Sequence, residues 1–160
     1  QLVMGDALAV CLLRLRGFSA TDFANYHPGG SLGKKMYMRV NDLSSKNDAP
    51  AVDINEKISN VIIEISSKRL GTTAVIDNGK MIGVITDGDL RRMIENHDDY
   101  KHLAAKDIMT REPLSIEKDS LIVNALSMMR ENNITQLPVM DGDNYSGIIH
   151  LHDILKEGIF

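Results

Sequence analysis

Three short stretches hold the residues whose types and spacing could do chemistry. Near the start, Asn25 to Lys35 reads NYHPGGSLGKK, with His27 set among glycines and lysines. Further on, Thr86-Asp87-Gly88-Asp89 places a hydroxyl three positions ahead of a carboxylate, and His150 and Asp153 repeat that spacing with an imidazole in place of the hydroxyl. The first stretch could be a phosphate cradle, half of an acid-base site, or a loop. A Walker A loop needs G-x-x-x-x-G-K-[ST]. Counting back from Gly33-Lys34 puts Pro28 where the first glycine belongs and Lys35 where Ser or Thr belongs, which rejects it. His27 can titrate near neutrality and move protons, or it can simply order the loop before Pro28.

The elements that must position these residues follow from hydrophobic spacing. Leu8, Cys11, Leu12 and Leu15 lie on one face of a helix that Gly17 stops. Thr21-Asp22 is expected to cap a short helical turn through Tyr26, and Gly29, Gly30 and Gly33 to let the chain turn sharply toward the next domain. Two blocks then align at an offset of 64 or 65 residues. The first runs from Val40-Asn41-Asp42-Leu43 through a helix face of Ile58, Val61, Ile62 and Ile65 to a hairpin turning at Asn78-Gly79, then a helix from Leu90. The second runs from Ala105-Lys106-Asp107-Ile108 through Ile122, Ala125, Leu126 and Met129 to a hairpin turning at Asp141-Gly142-Asp143-Asn144, then a helix at Ile154-Leu155. Each block is β-α-β-β-α. A block of roughly 60 residues buries too little surface to be secure alone, so the two are expected to pack together as a pseudo-twofold pair.

Composition narrows the function. The chain has 160 residues, is 43% apolar and carries a net charge of -4 with its lysines and arginines scattered among acids, so it offers no broad basic face for nucleic acid. Cys11 is the only cysteine, which rules out an intramolecular disulfide and suits a reducing, cytoplasmic setting. A metal site would need His and carboxylates. His150 and His152 alternate on a strand-like segment and should face opposite ways, so no metal is expected. No apolar run approaches the roughly 20 residues of a membrane helix, and the chain opens inside an apolar pattern, as a piece of a longer protein would. The nine methionines suit adaptable core packing.

The tandem of β-α-β-β-α units, each closing on a glycine-led strand and an aspartate that opens a helix, resembles the CBS-domain pair over about residues 37 to 160. GVITDGDL, Gly83 to Leu90, carries the motif, and GIIHLHDI, Gly147 to Ile154, is a degenerate copy. Ahead of the pair, MGDALAVCLLRLRGFSATDFANYHPGGSLGKK is similar to the end of the sugar isomerase domain in bacterial arabinose-5-phosphate isomerases. The resemblance implies an α/β (α+β) fold divided into a helical isomerase remnant at 1–36 and CBS repeats at 37–98 and 99–160. It implies that His27 is the active-site histidine of an intact enzyme that interconverts ribulose 5-phosphate and arabinose 5-phosphate for Kdo synthesis. The other catalytic residues would lie upstream, so this piece is expected to be inactive alone, and no cofactor is required.

Within Thr86-Asp87-Gly88-Asp89 the resemblance gives an aspartate the ribose hydroxyls of a nucleotide and Thr86 its phosphate, whereas local chemistry gives a capping box that uses the same atoms. By position alone, Val52, Asp53, Thr73, Ala74 and Val75 should edge the first pocket. Ser115, Ile116, Leu137, Pro138 and Val139 should edge a second, with His150 and Asp153. The loss of the hydroxyl at His150 while Asp153 remains argues there for a ligand role over a structural cap. The expected effector is a nucleotide or a nucleotide sugar such as CMP-Kdo. The expected partners are the upstream isomerase domain and further copies, as CBS-pair dimers within a tetramer. The alternative is a ligand-free module that organises assembly.

Overall fold

The computed structural model describes every residue except 1, 20, 21, 24, 25, 27–29 and 98, together with the side chains of Ser31 and Leu32. His27, Thr21 and Gly29 therefore lie outside the described residues. Helix α1 spans Leu2–Leu15 and ends as its glycine predicts: Gly17 takes φ 62°, its N–H donates to Arg14 O, and Phe18 N–H donates to Leu13 O. The apolar face of Leu8, Cys11, Leu12 and Leu15 is exposed along its length. Helix α2 spans Ser31–Tyr37. Gly33 sits inside this helix, and the positive-φ glycines do not include Gly30 or Gly33, so neither makes the expected sharp turn.

Helix α3 (Asn41–Ser44), strand β1 (Ala51–Asp53), helix α4 (Ile58–Lys68), strands β2 (Thr72–Asp77) and β3 (Lys80–Thr86) and helix α5 (Asp87–Asn96) follow. The second block repeats the order. It comprises helix α6 (Ala105–Ile108), strands β4 (Thr110–Arg111) and β5 (Ile116–Glu117), helix α7 (Ile122–Glu131), strands β6 (Gln136–Asp141) and β7 (Asn144–His150) and helix α8 (Leu151–Lys156). Ile58, Val61 and Ile65 bury the predicted face of α4, and Ile122, Ala125, Leu126 and Met129 that of α7. The β2–β3 hairpin turns at Asn78-Gly79 with φ 48° and 79°, the left-handed pair that matches strand twist. Both hairpins carry a register shift at the same place, between Val75 and Ile76 and between Val139 and Met140.

Strand order is β1-β2-β3-β4 in one sheet and β5-β6-β7 in the other. Sequence blocks and packed units do not coincide. The segment that opens the first block docks on the second: Val40 N–H donates to Ser120 O and Asn41 N–H to Lys118 O, both at 2.9 Å. Val40 and Leu43 are buried there among Ile116, Ile122, Ile149 and Ile154. The segment that opens the second block docks on the first, with Ala105 N–H on Glu56 O at 2.8 Å and Lys106 N–H on Ile54 O at 3.0 Å. Ala105 is buried there among Val61, Val75 and Ile85. Each opening segment is shaped alike by an aspartate: Asp42 Oδ2 accepts Arg39 N–H and Asp107 Oδ2 accepts Ala104 N–H, both at 2.8 Å. The exchange carries the chain past the first sheet, where Thr110-Arg111 pairs with Val84 and Gly83. A Cβ on Gly83 would lie 2.8 Å from Thr110 O, so only glycine admits this added strand.

Because Leu43 fills the second core from outside its own block, Leu43→Ala should cost about 2–5 kcal/mol. The lost hydrogen-exchange protection should appear in β5 to β7 and α7. Loss confined to β1 to β3 would contradict the exchange.

Candidate functional site

The TDGD stretch forms where β3 runs into α5. Thr86 is the helix N-cap, its Oγ1 accepting Asp89 N–H at 3.2 Å, while Asp89 Oδ2 accepts Thr86 N–H at 2.8 Å and the Thr86 hydroxyl at 2.6 Å. The capping box is therefore present in full. The carboxylate nonetheless has a second oxygen turned elsewhere. Asp89 is 7% exposed, and its Oδ1 meets Arg92 Nη2 at 2.5 Å and the Thr110 hydroxyl at 3.5 Å. Arg92 is itself 64% exposed on the side chain, so this partner can swing away.

Asp89 opens onto a cleft of about 410 Å³ between the blocks. Thr72, Val84 and Thr86 line it from the first sheet, and Thr110, Glu112, Pro113 and Leu114 from the crossing segment. Ile134, Gln136 and Pro138 close it from the second block. An adjoining space of about 400 Å³ shares Thr86 and Arg92 and adds Asp87, Gly88 and Asn133. The walls are apolar with a few convergent polar groups, the usual character of a small-molecule site. Among the residues lining both spaces, Arg92 is the one cation, set against Asp87, Asp89 and Glu112. Glu112 holds φ 48°, an uncommon conformation for a bulky residue, where the chain turns out of β4 into the cleft wall.

Of the positions expected to edge this pocket, Thr86 and Asp89 line the cleft and Asp87 the adjoining space. Val52, Ala74 and Val75 are packed into the core instead, Thr73 is wholly buried with its hydroxyl on Ala74 O, and Asp53 turns its carboxylate to Asn55 N–H. They line neither space. Thr72, at the head of β2 and paired with Thr86, takes the place that Thr73 to Val75 were expected to hold. In the second block Ile116, Leu137 and Val139 are likewise core, Ser115 lines neither space, and Pro138 faces the first block's cleft. Sequence reasoning missed Gln136, although a lone polar residue at the head of an apolar strand, one repeat after Thr72, was a usable signal. Thr110 to Leu114 carried none, because their position depends on the exchange of opening segments.

At the second cap, His150 Nδ1 accepts His152 N–H at 3.0 Å and Asp153 Oδ2 accepts His150 N–H at 3.3 Å. An imidazole nitrogen thus does the work of the missing hydroxyl, and a structural cap accounts for both residues. The strand ends at His150 and α8 begins at once, so the two rings do not face opposite ways but lie 5.2 Å apart. No group of three or more His, Cys, Asp or Glu suited to a metal occurs among the described residues. Burial first, then the positive charges of His152 and Lys156, hold the His150 imidazole below its ordinary 6.5, with Asp153 opposing. Protonation would also remove the Nδ1 acceptor.

The CBS domain family model matches residues 40–96 and 105–159. The arabinose 5-phosphate isomerase KdsD of Escherichia coli K12 is 44% identical over 160 residues, which is 99% of this chain and 49% of that protein. KdsD of Francisella tularensis is 43% identical over 157 residues, 97% of this chain and 48% of its own. The chain spans about half the length of the curated relatives it matches. A CBS domain protein of Pyrobaculum aerophilum complexed with AMP superposes with TM-score 0.66 at 18% identity, covering 73% of this chain and 90% of its own.

The unfolded chain takes up a proton on His150 before the folded one does, so stability should fall as pH drops through about 6.5. His150→Thr, which caps without titrating, should lose less unfolding midpoint than the parent between about pH 7.5 and 5.5. Parallel curves would show that His150 carries none of the acid sensitivity.

Proposed function

This chain belongs to the CBS-domain family, and we propose that it is the regulatory pair of an arabinose-5-phosphate isomerase, taking a nucleotide-type effector in the cleft between its blocks. The observation that carries the ligand reading is Asp89: a carboxylate 7% exposed, fixed by its own helix cap, with one oxygen held by a solvent-exposed arginine and a distant hydroxyl at the wall of a cleft of about 410 Å³. Ribose hydroxyls donating to Asp89 Oδ1 would displace Arg92, whose guanidinium then turns to the phosphate. The Gly88 N–H would supply a further donor at a helix start that favours anions, and the Thr86 hydroxyl would do so only by turning away from Asp89 Oδ2. Pro113, Leu114, Ile134 and Pro138 offer apolar surface for a base.

AMP, the ligand of the Pyrobaculum aerophilum protein, suits this balance of one phosphate and one arginine. CMP-Kdo, with a carboxylate as well as a phosphate, would bring two anionic groups to a site whose single cation faces Asp87, Asp89 and Glu112. It remains the effector that feedback in Kdo synthesis would call for, and direct comparison separates the two. In the whole enzyme, cytoplasmic in this reading, His27 would serve the isomerisation and the upstream domain would cover the apolar face of α1. Effector binding would reach that domain with a coupling of about 1–3 kcal/mol. Helix α2 is the connection, clamped to the pair by Lys34 Nζ on Glu157 Oε2 at 2.6 Å.

A second reading, assembly without a ligand, has its own support: Ile63 and Ile94 stand 63% and 56% exposed on α4 and α5, where another copy could cover them. Calorimetry with AMP, ATP, CMP and CMP-Kdo tests the first reading. Asp89→Asn keeps the cap's shape but removes the charge, and should weaken nucleotide affinity by about tenfold or more, since hydrogen bonds to a charged group are worth roughly 1.5–3 kcal/mol. Unchanged affinity, or no binding of any of the four, would leave the scaffold. For that reading, Ile63→Glu with Ile94→Glu should yield smaller assemblies in sedimentation.

A further inference from the structure

The closing helices of the two blocks differ in length. Helix α5 runs for 10 residues and α8 for 6, and an offset of 64 sets Gly158 against Ile94, which lies inside α5. Gly158 takes φ 75°, its N–H donates to Leu155 O at 3.0 Å, and the chain folds back so that Ile159 is wholly buried in the second core. Stopping the helix there leaves the carbonyl of Glu157 beyond the reach of its own helix.

That carbonyl is met by α2. Lys34 Nζ donates to Glu157 O at 3.1 Å and to Glu157 Oε2 at 2.6 Å, and Lys35 Nζ donates to Phe160 O at 2.9 Å. A lysine that reaches the last carbonyls of a helix stabilises its end. The side chains of Lys34 and Glu157 are only 27% and 28% exposed, so water screens this pair less than an open surface pair. Lys34, by hydrogen bond and then by charge, holds the Glu157 carboxyl below its ordinary range, with burial opposing and Lys46 adding to it.

Helix α2 has another anchor at its far end. Met38, extended at φ -67° and ψ 128°, packs against the second core, and its carbonyl accepts Ile122 N–H at 2.9 Å. An anchor at one end leaves a helix free to swing about that point. Lys34 and Lys35, about one turn back, remove the swing and fix the direction. Both anchors lie on the second block, whereas Thr72, Thr86 and Asp89 of the cleft belong to the first.

We propose that Glu157 to Phe160 forms a strap that sets the direction of α2, so that this helix and the chain before it turn with the second block and not with the first. The strap is then the output of the pair: a ligand that shifts one block against the other reaches the upstream domain through Glu157. That consequence, though not the strap itself, rests on the ligand reading of the Asp89 cleft.

The test has two arms, both using Lys34→Met with Lys35→Met, which keeps the apolar stems and removes the donors. In the first, without ligand, backbone order parameters for residues 34–37 should fall from about 0.85 in the unmodified chain to below about 0.6, while those of β6, β7 and α8 hold. Glu157→Gln should give a smaller fall. Unchanged order in α2, or a loss spread equally through β6 and β7, would overturn the strap. In the second arm, on the whole enzyme, AMP affinity should stay within about twofold of the parent, because neither lysine lines the cleft, while the AMP-dependent change in isomerase rate is lost. A preserved rate change alongside a disordered α2 would overturn the output role. If AMP neither binds nor alters the unmodified enzyme, the nucleotide reading falls, and the order parameters still decide the strap.

Discussion

The core of each block is closed by a segment that belongs, in sequence, to the other: Val40 and Leu43 lie in the second core, and Ala105 with Ile108 and Met109 lie in or against the first. A block of this size buries too little to be stable alone, and the exchange makes each core unfinished without its partner. Most of the functional geometry depends on this. The crossing segment from Thr110 to Leu114 exists in its place because α6 must dock on the first block, and it supplies a wall of the cleft that Asp89 faces. The same exchange, run the other way, delivers Asn47 to Asp153.

Local electrostatics then distinguish the two ends of the repeat. Both helices α5 and α8 begin with an aspartate that accepts the N–H of the residue three before it. A hydroxyl at Thr86 leaves one face of Asp89 to a flexible arginine. An imidazole at His150 satisfies its own helix, and burial above all holds its pKa below the ordinary value. A carboxylate shared between a cap and a solvent-exposed cation can change partners at modest cost, because an exposed ion pair is worth little. At Asp153 the second partner of the capping oxygen is instead the neutral side-chain amide of Asn47.

Much of the secondary structure was legible in the sequence, for reasons visible residue by residue. Ile58, Val61 and Ile65 sit at helical spacing and are buried together, and Asn78-Gly79 can hold two positive φ angles where few other pairs can. The TDGD cap declared itself because its hydroxyl and carboxylate satisfy each other within one turn. The cleft was less legible. Thr73 to Val75 were placed at the pocket's edge by analogy of position, yet Thr72 lines it: Thr73 and Val75 point to the other face of the strand, and Ala74, on the same face, is wholly buried. The glycines of the opening stretch suggested a turn, while tertiary contact let Gly33 continue a helix whose lysines reach the end of the chain at Glu157 and Phe160.

The sequence by itself determined the repeat, the hairpins and the helix caps, because each is set by interactions among residues a few positions apart. Only the tertiary structure decided which block each opening segment completes, and so which of two similar aspartates faces a cleft and which faces Asn47. Those outcomes turn on contacts between residues about a hundred positions apart. No local pattern of residue types encodes which partner such a contact will find; that is decided by which arrangement buries Val40 and Leu43 and, among the described residues, leaves no buried side-chain polar atom without a partner.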